Sequence, residues 1–164
     1  MPKVKLVNDA KPGMSLKVFF DNEGVAQIEK QRARTIMFVQ LGTNDLKEYS
    51  PEQHSAPDAF IQRIQEIISV AHQNRVNVVL CTPLAQPFYK DGELVDRLGS
   101  YVESIRHLAA YYHLALLDLE QSSRVKTEIG QHVGLRSERT SLLILQKNLC
   151  RHLILRNCIA QIKE

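Results

Sequence analysis

The sequence contains no tryptophan, and its 164 residues include only three cysteines, six prolines and seven glycines. Each scarcity excludes something. So few glycines and prolines, beside 44% apolar residues, exclude a collagen-like repeat and a low-complexity or disordered tail. No sustained heptad pattern supports a coiled-coil rod. No apolar run approaches the ~18 residues needed to span a bilayer. The opening Met1-Pro2-Lys3-Val4-Lys5 lacks the apolar stretch and cleavage site of a secretion signal. Cys150 and Cys158, eight apart on one predicted helix, cannot bridge each other, and an odd cysteine count fits a reducing setting. The expectation is a soluble, globular, cytoplasmic chain forming one domain over residues 1–164, with no membrane partner.

Metal and cofactor motifs are also missing. There is no Cys-x-x-Cys, no His-Glu-x-x-His, no glycine-rich phosphate loop and no EF-hand loop. The six histidines are scattered without ligand spacing. Neither a metal nor a cofactor is expected.

The net charge of +3 is unevenly spread. Residues 1–34 carry +3, residues 35–122 carry −5 and residues 123–164 carry +5. A basic end of this kind either solvates the outer face of a terminal helix or meets an anionic partner.

Hydrophobic periodicity alternates between strand and helix. Val4–Val7 is a short strand candidate. Thr35–Leu41 is a nearly continuous apolar run ending at Gly42, the pattern of a strand buried on both faces. A helix is predicted over 57–74, with Phe60, Ile64, Ile67, Ile68 and Ala71 on one face. Ser55 is its expected N-cap, with Asp58 in a capping-box position. Val76–Cys81 reads as a second buried strand closed by Thr82-Pro83. A polar loop follows, then a helix over 94–112 with Leu98, Tyr101, Val102, Ile105, Leu108 and Ala109 on one face. Ala115–Leu119 is a short strand, and a last helix is predicted over 138–161. This order predicts an α/β fold: a three-layer open parallel sheet, flavodoxin-like, with helices on both faces.

In such sheets ligands bind beyond the C-terminal strand ends. The segments there are Gly42-Thr43-Asn44-Asp45, Thr82-Pro83, Asp118 and the loop over 128–137. A buried strand ending in Leu-Gly-Thr-Asn-Asp-Leu, followed by an amphipathic helix and a strand ending in Thr-Pro, resembles the SGNH (GDSL-type) hydrolase family over roughly residues 2–150. The resemblance implies that fold. It also implies that Gly42, through its backbone N–H, and Asn44, through its amide, contribute to an oxyanion hole.

The same resemblance implies a serine nucleophile after the first strand and an Asp-x-x-His near the end, and here the pattern departs. His132 stands where the family's base lies, but Ile129 occupies the acid's position and Glu128 is one residue off. For the nucleophile three alignments are open. Lys11-Pro-Gly-Met-Ser-Leu resembles the family's second block, making Gly13 an oxyanion donor and leaving the nucleophile strand outside this chain. Alternatively, Asn8-Asp9-Ala10 replaces Gly-Asp-Ser. Or Gly13-Met14-Ser15-Leu16 is the drifted nucleophile motif itself. The family's nucleophile strand lies mid-sheet, so Val4–Val7 must either pair directly beside Thr35–Leu41 or belong to a fragment of a longer protein.

Two functions follow as expectations. One is a non-catalytic module on which Gly13, Gly42, Asn44 and His132 are vestigial. It would bind RNA through Arg124, Lys126, Arg136, Arg139, Lys147, Arg151 and Arg156, on the last helix and adjoining loop. A domain of that kind resembles the RNA-binding C-terminal domain type of the insect germ-plasm protein Oskar. The other is a small SGNH-type ester hydrolase using Ser15 or an unrecognised serine, with Gly42, Asn44 and His132. A protein–protein scaffold is the remaining option.

Overall fold

A computed structural model describes residues 5–31, 35–86, 88–91, 93–124 and 159–163. In chain order these form β1 (Lys5–Asn8), α1 (Leu16–Asp21), α2 (Gly24–Glu29), β2 (Thr35–Gln40), α3 (Pro57–Gln73) and β3 (Asn77–Cys81). There follow β4 (Phe88–Lys90), β5 (Glu93–Val95), α4 (Gly99–Tyr111), β6 (Ala115–Leu117) and β7 (Ile159–Lys163).

The main sheet runs β1-β7-β2-β3-β6. β2, β3 and β6 are mutually parallel, each pair joined by a helix, the connection that parallel neighbours require. β7 is antiparallel to both its neighbours, β1 and β2. The strand expected at Val4–Val7 therefore does not pair beside Thr35–Leu41. One strand width separates them, and the last described segment of the chain fills it.

Alternation sorts the sheet residues onto two faces. Met37, Val39, Val78 and Leu80 point into one core with Leu16 and Phe19 of α1, Ile28 of α2, and the apolar stripes of α3 and α4. The other face, with Phe38, Val79 and Leu117, joins Cys81, Leu119, Ala10 and Leu84 in a smaller cluster. The α3 stripe holds as the spacing predicts: Phe60, Ile64, Ile67, Ile68 and Ala71 are its buried residues. The same is true of Tyr101, Val102, Ile105, Leu108 and Ala109 in α4. Phe60 is wholly buried and meets Tyr101 edge to face, ring centroids 5.0 Å apart. Among the described residues, no helix is long and apolar enough to cross a membrane.

Several local expectations fail for identifiable reasons. α3 has Ala56, not Ser55, at its N-cap, with Pro57 opening the helix. The Ser55 hydroxyl instead contacts Asp45 and accepts from Arg63, at 2.9 Å. The helix expected from 94 begins at Gly99, because residues 88–95 form the β4–β5 hairpin. Asp91 follows β4 at φ 54° and opens an Asp-Gly dipeptide in the sequence, the kind that favours a two-residue hairpin turn. The last helix was expected to reach Gln161, yet Ile159–Gln161 lie in β7. The rest of that helix falls outside the described residues.

Replacing Phe60 by alanine removes the largest fully buried side chain at the meeting of α3, α4 and the end of β2. Phe60→Ala is expected to cost about 3–5 kcal/mol, read as a lowered urea midpoint with unchanged transition slope.

Candidate functional site at the strand ends

The C-terminal ends of β2 and β3 meet the N-terminus of α1 in a tight knot of loops. β2 ends in Gly42, whose φ of +121° only glycine adopts without strain. A side chain there would also lie against Pro83, Phe60 and Tyr101, at 3.5–3.7 Å. Among the described residues Gly13 is the other glycine at positive φ, +76°, just ahead of α1. Both sharp turns bring backbone toward the same place.

Asp45 ties them together. Its Oδ1 accepts the Leu16 N–H at 2.9 Å, and its Oδ2 accepts the Gly42 N–H at 3.1 Å. The Ser55 hydroxyl adds a further hydrogen bond. The side chain is fully buried. Burial pushes its carboxyl above the ordinary value of 3.8, against the pull of these donors. Behind it, the Asp45 carbonyl accepts from Ser55 N–H at 3.1 Å and lies 2.7 Å from His54 Nδ1. Tyr101 closes the far side, its hydroxyl donating to the Ser55 carbonyl at 2.8 Å.

Asn44 is buried at 5% exposure and donates through Nδ2 to the Met14 carbonyl at 2.8 Å. An amide nitrogen has two hydrogens; among the described residues, the second has no acceptor. Gly42 is different, because its N–H is already given to Asp45. Of the two oxyanion donors expected in this loop, Asn44 has one hydrogen without an acceptor among the described residues, whereas the Gly42 N–H is given to Asp45.

Ser15 is placed as a structural residue. It is fully buried, serves as N-cap of α1, and its Oγ accepts the Val18 N–H at 3.3 Å. The serine that the ester-hydrolase expectation offered as nucleophile is thus enclosed and engaged as a cap. The burial follows from the apolar residues on either side, Met14 and Leu16, both in the core.

A second polar cluster surrounds the end of β6. Thr82 Oγ1 donates to Asp118 Oδ1 at 3.1 Å and accepts the Glu120 N–H at 2.9 Å, joining β3 to the helical turn over 119–124. Arg106 of α4 pairs with Asp118 and with Glu120, each at 2.9 Å. Arg124 pairs with Glu120 at 2.6 Å and Asp96 at 2.7 Å. Asp96, Arg106, Glu120 and Arg124 line an open cleft of about 450 Å³. Arg124, expected as an RNA contact, is thus held by two carboxylates. Lys126, Arg136, Arg139, Lys147, Arg151, Arg156 and His132 lie outside the described residues. Asp45, Arg106 and Glu120 had no assigned role in the sequence; only Asp45 carried a signal, as the acid that follows Asn44 at a strand end.

The two clusters respond oppositely to acid. Burial alone would raise Asp118, but the Arg106 guanidinium, the Gln121 N–H and Thr82 together hold it below 3.8. Its stabilisation is complete above the unfolded value and is lost as pH falls through the lowered one. Asp45, raised in the fold, instead weakens stability as pH rises from 3.8 through its raised value. In denaturant midpoints measured between about pH 2 and 5, Asp118→Asn is expected to flatten the acid-side loss of stability. An unchanged slope would show that Asp118 is not linked to folding.

The sequence profile of the GDSL-like Lipase/Acylhydrolase family matches residues 3–139. The chain is also 29% identical over 132 residues to the "Probable rhamnogalacturonan acetylesterase YesY" of Bacillus subtilis (strain 168). That alignment covers 78% of this chain and 60% of the relative, so the chain spans about 60% of the relative's length. Among solved structures it is similar to the crystal structure of the Bacillus subtilis protein YXIM, with a TM-score of 0.58. The two share 24% identity over 71% of this chain and 33% of the other, a likeness of fold alone. The profile match runs from β1 past β6 and takes in the whole Gly42–Asp45 loop, and on that extent the chain belongs to the GDSL-like lipase/acylhydrolase family.

Proposed function

We propose that this chain supplies the oxyanion-stabilising side of a carboxylic-ester hydrolase site, acting on acetyl esters of carbohydrate. The observation that carries this reading is Asn44: a buried amide, fixed through one hydrogen by the Met14 carbonyl, with its second hydrogen unclaimed among the described residues. A donor held so rigidly needs no reorganisation when negative charge develops on an ester carbonyl oxygen, which is where such donors contribute most. Family membership and the printed activity of the curated relative support the same chemistry.

In the reaction a serine hydroxyl other than that of Ser15 gives its proton to the base and adds to the acyl carbon, and the carbonyl π pair moves onto oxygen. Asn44 Nδ2–H stabilises that oxyanion. The second donor comes from the turn at Gly13, the loop that Asn44 already touches, rather than from Gly42, whose N–H belongs to Asp45. Collapse of the tetrahedral species expels the sugar alkoxide, which takes up a proton, and water completes the transfer to give acetate. His132 keeps the role of base that the family resemblance implies. In this reading Ser15, the N-cap of α1, is not the attacking group; its burial and its bond to the Val18 N–H support that assignment.

RNA binding is the weaker reading. Six of the seven residues it was built on lie outside the described segments, and the seventh, Arg124, pairs with Asp96 and Glu120.

Asn44→Ala is expected to lower kcat on 4-nitrophenyl acetate and on acetylated pectic polysaccharide by about 10²–10³-fold. No turnover by the natural sequence, or turnover unchanged in Asn44→Ala, would overturn the reading. Ser15→Ala is expected to lose about 0.5–2 kcal/mol of stability through the missing cap and to retain both turnover and labelling by a fluorophosphonate probe. Loss of labelling with stability intact would return Ser15 to the nucleophile's role.

A further inference from the structure

We infer that Asp45 is a positioning residue of this site, holding the Asn44 donor and the Gly13–Ser15 turn in register. The inference rests on the ester-hydrolase reading and adds a residue to it. Asp45 touches neither substrate nor the reacting atoms; it acts through the two loops that do.

The geometry is specific. One carboxylate oxygen takes the first N–H of α1, from Leu16, and the other takes the Gly42 N–H at the end of β2. These two residues are 26 apart in sequence, and this side chain bridges their backbones. Asn44 sits between the bridged points and donates to Met14, two residues before the anchored Leu16. Any shift of the α1 start relative to the β2 end therefore moves the Met14 carbonyl and swings the Asn44 amide with it.

An asparagine at 45 cannot reproduce this. It offers one acceptor oxygen, and its NH₂ would face either Leu16 N–H or Gly42 N–H, donor against donor. The other side chain that hydrogen-bonds the carboxylate is the Ser55 hydroxyl, which carries no charge and cannot take over both backbone donors. A carboxylate with two fixed backbone donors sets both distance and direction. A misplacement of about 1 Å at a reacting group can cost up to 100-fold in rate.

The test compares Asp45→Asn, the milder Ser55→Ala, and Arg106→Gln. Arg106→Gln breaks ion pairs at the β6 end, away from the Gly42–Asp45 loop, and serves as the control for general destabilisation. Kinetics on 4-nitrophenyl acetate are expected to show kcat reduced about 10–100-fold in Asp45→Asn with KM within about two-fold. Ser55→Ala should give a smaller loss of the same kind, and Arg106→Gln no loss. A second readout does not depend on turnover: hydrogen exchange of the Asn44 side-chain amide, followed by NMR below the unfolding temperature. Its protection is expected to fall in Asp45→Asn and Ser55→Ala and to persist in Arg106→Gln. Equal kcat loss in all three variants, or unchanged Asn44 protection in the two knot variants, overturns the inference. Should the natural sequence turn over no ester, the function reading fails, and the exchange experiment alone decides the role of Asp45.

Discussion

The buried carboxylate of Asp45 is the constraint on which the strand-end site depends. Placing an acid in the core is unfavourable unless its oxygens are satisfied, and here they are satisfied by backbone from two distant places in the chain. The cost of burial thereby becomes a geometric instruction: α1 must begin where β2 ends. The positive-φ turns at Gly13 and Gly42 let both backbones come close enough to comply. Asn44, one residue away, inherits a fixed position and with it the ability to meet a developing charge.

The sheet is arranged around a different constraint. Three parallel strands, β2, β3 and β6, follow the strand-helix-strand rhythm of the sequence. β1 lies parallel to β2 but not beside it, and β7 enters between them in the opposite sense. An unpaired gap in mid-sheet would leave two rows of backbone N–H and C=O groups without partners. β7 satisfies both rows. Of the two alternatives that the sequence left for β1, direct pairing with β2 is thus not the one realised.

The ion pairs at the end of β6 act as a clasp between layers. Glu120 is nearly inaccessible, its side chain 5% exposed, and receives both Arg106 and Arg124. Through Thr82 the clasp reaches the end of β3, and through Asp96 it reaches the foot of the β4–β5 hairpin. Arginine suits this position because its planar fork binds several carboxylates at once. The charges that looked available for a nucleic acid in the linear chain are, in the case of Arg124, internal fastenings.

By itself, the sequence determined the layers and the stripes. The apolar faces of α3 and α4 hold residue for residue, because a period of 3.6 is a local property that burial only has to accept. The Gly-Thr-Asn-Asp strand end was legible for the same reason, as was its place in an α/β sheet. Tertiary structure alone decided what each polar group in that motif does. Gly42 gives its N–H to Asp45, Ser15 is enclosed as a helix cap, Ser55 leaves its expected cap for a buried acid, and Ile159–Lys163 becomes a central strand. Gly42–Asp45 and Ser15–Val18 are near neighbours in the chain, while β7 pairs with strands at its other end; in each case the partner is chosen by which backbones the packed core brings together, and the residue pattern alone does not record it.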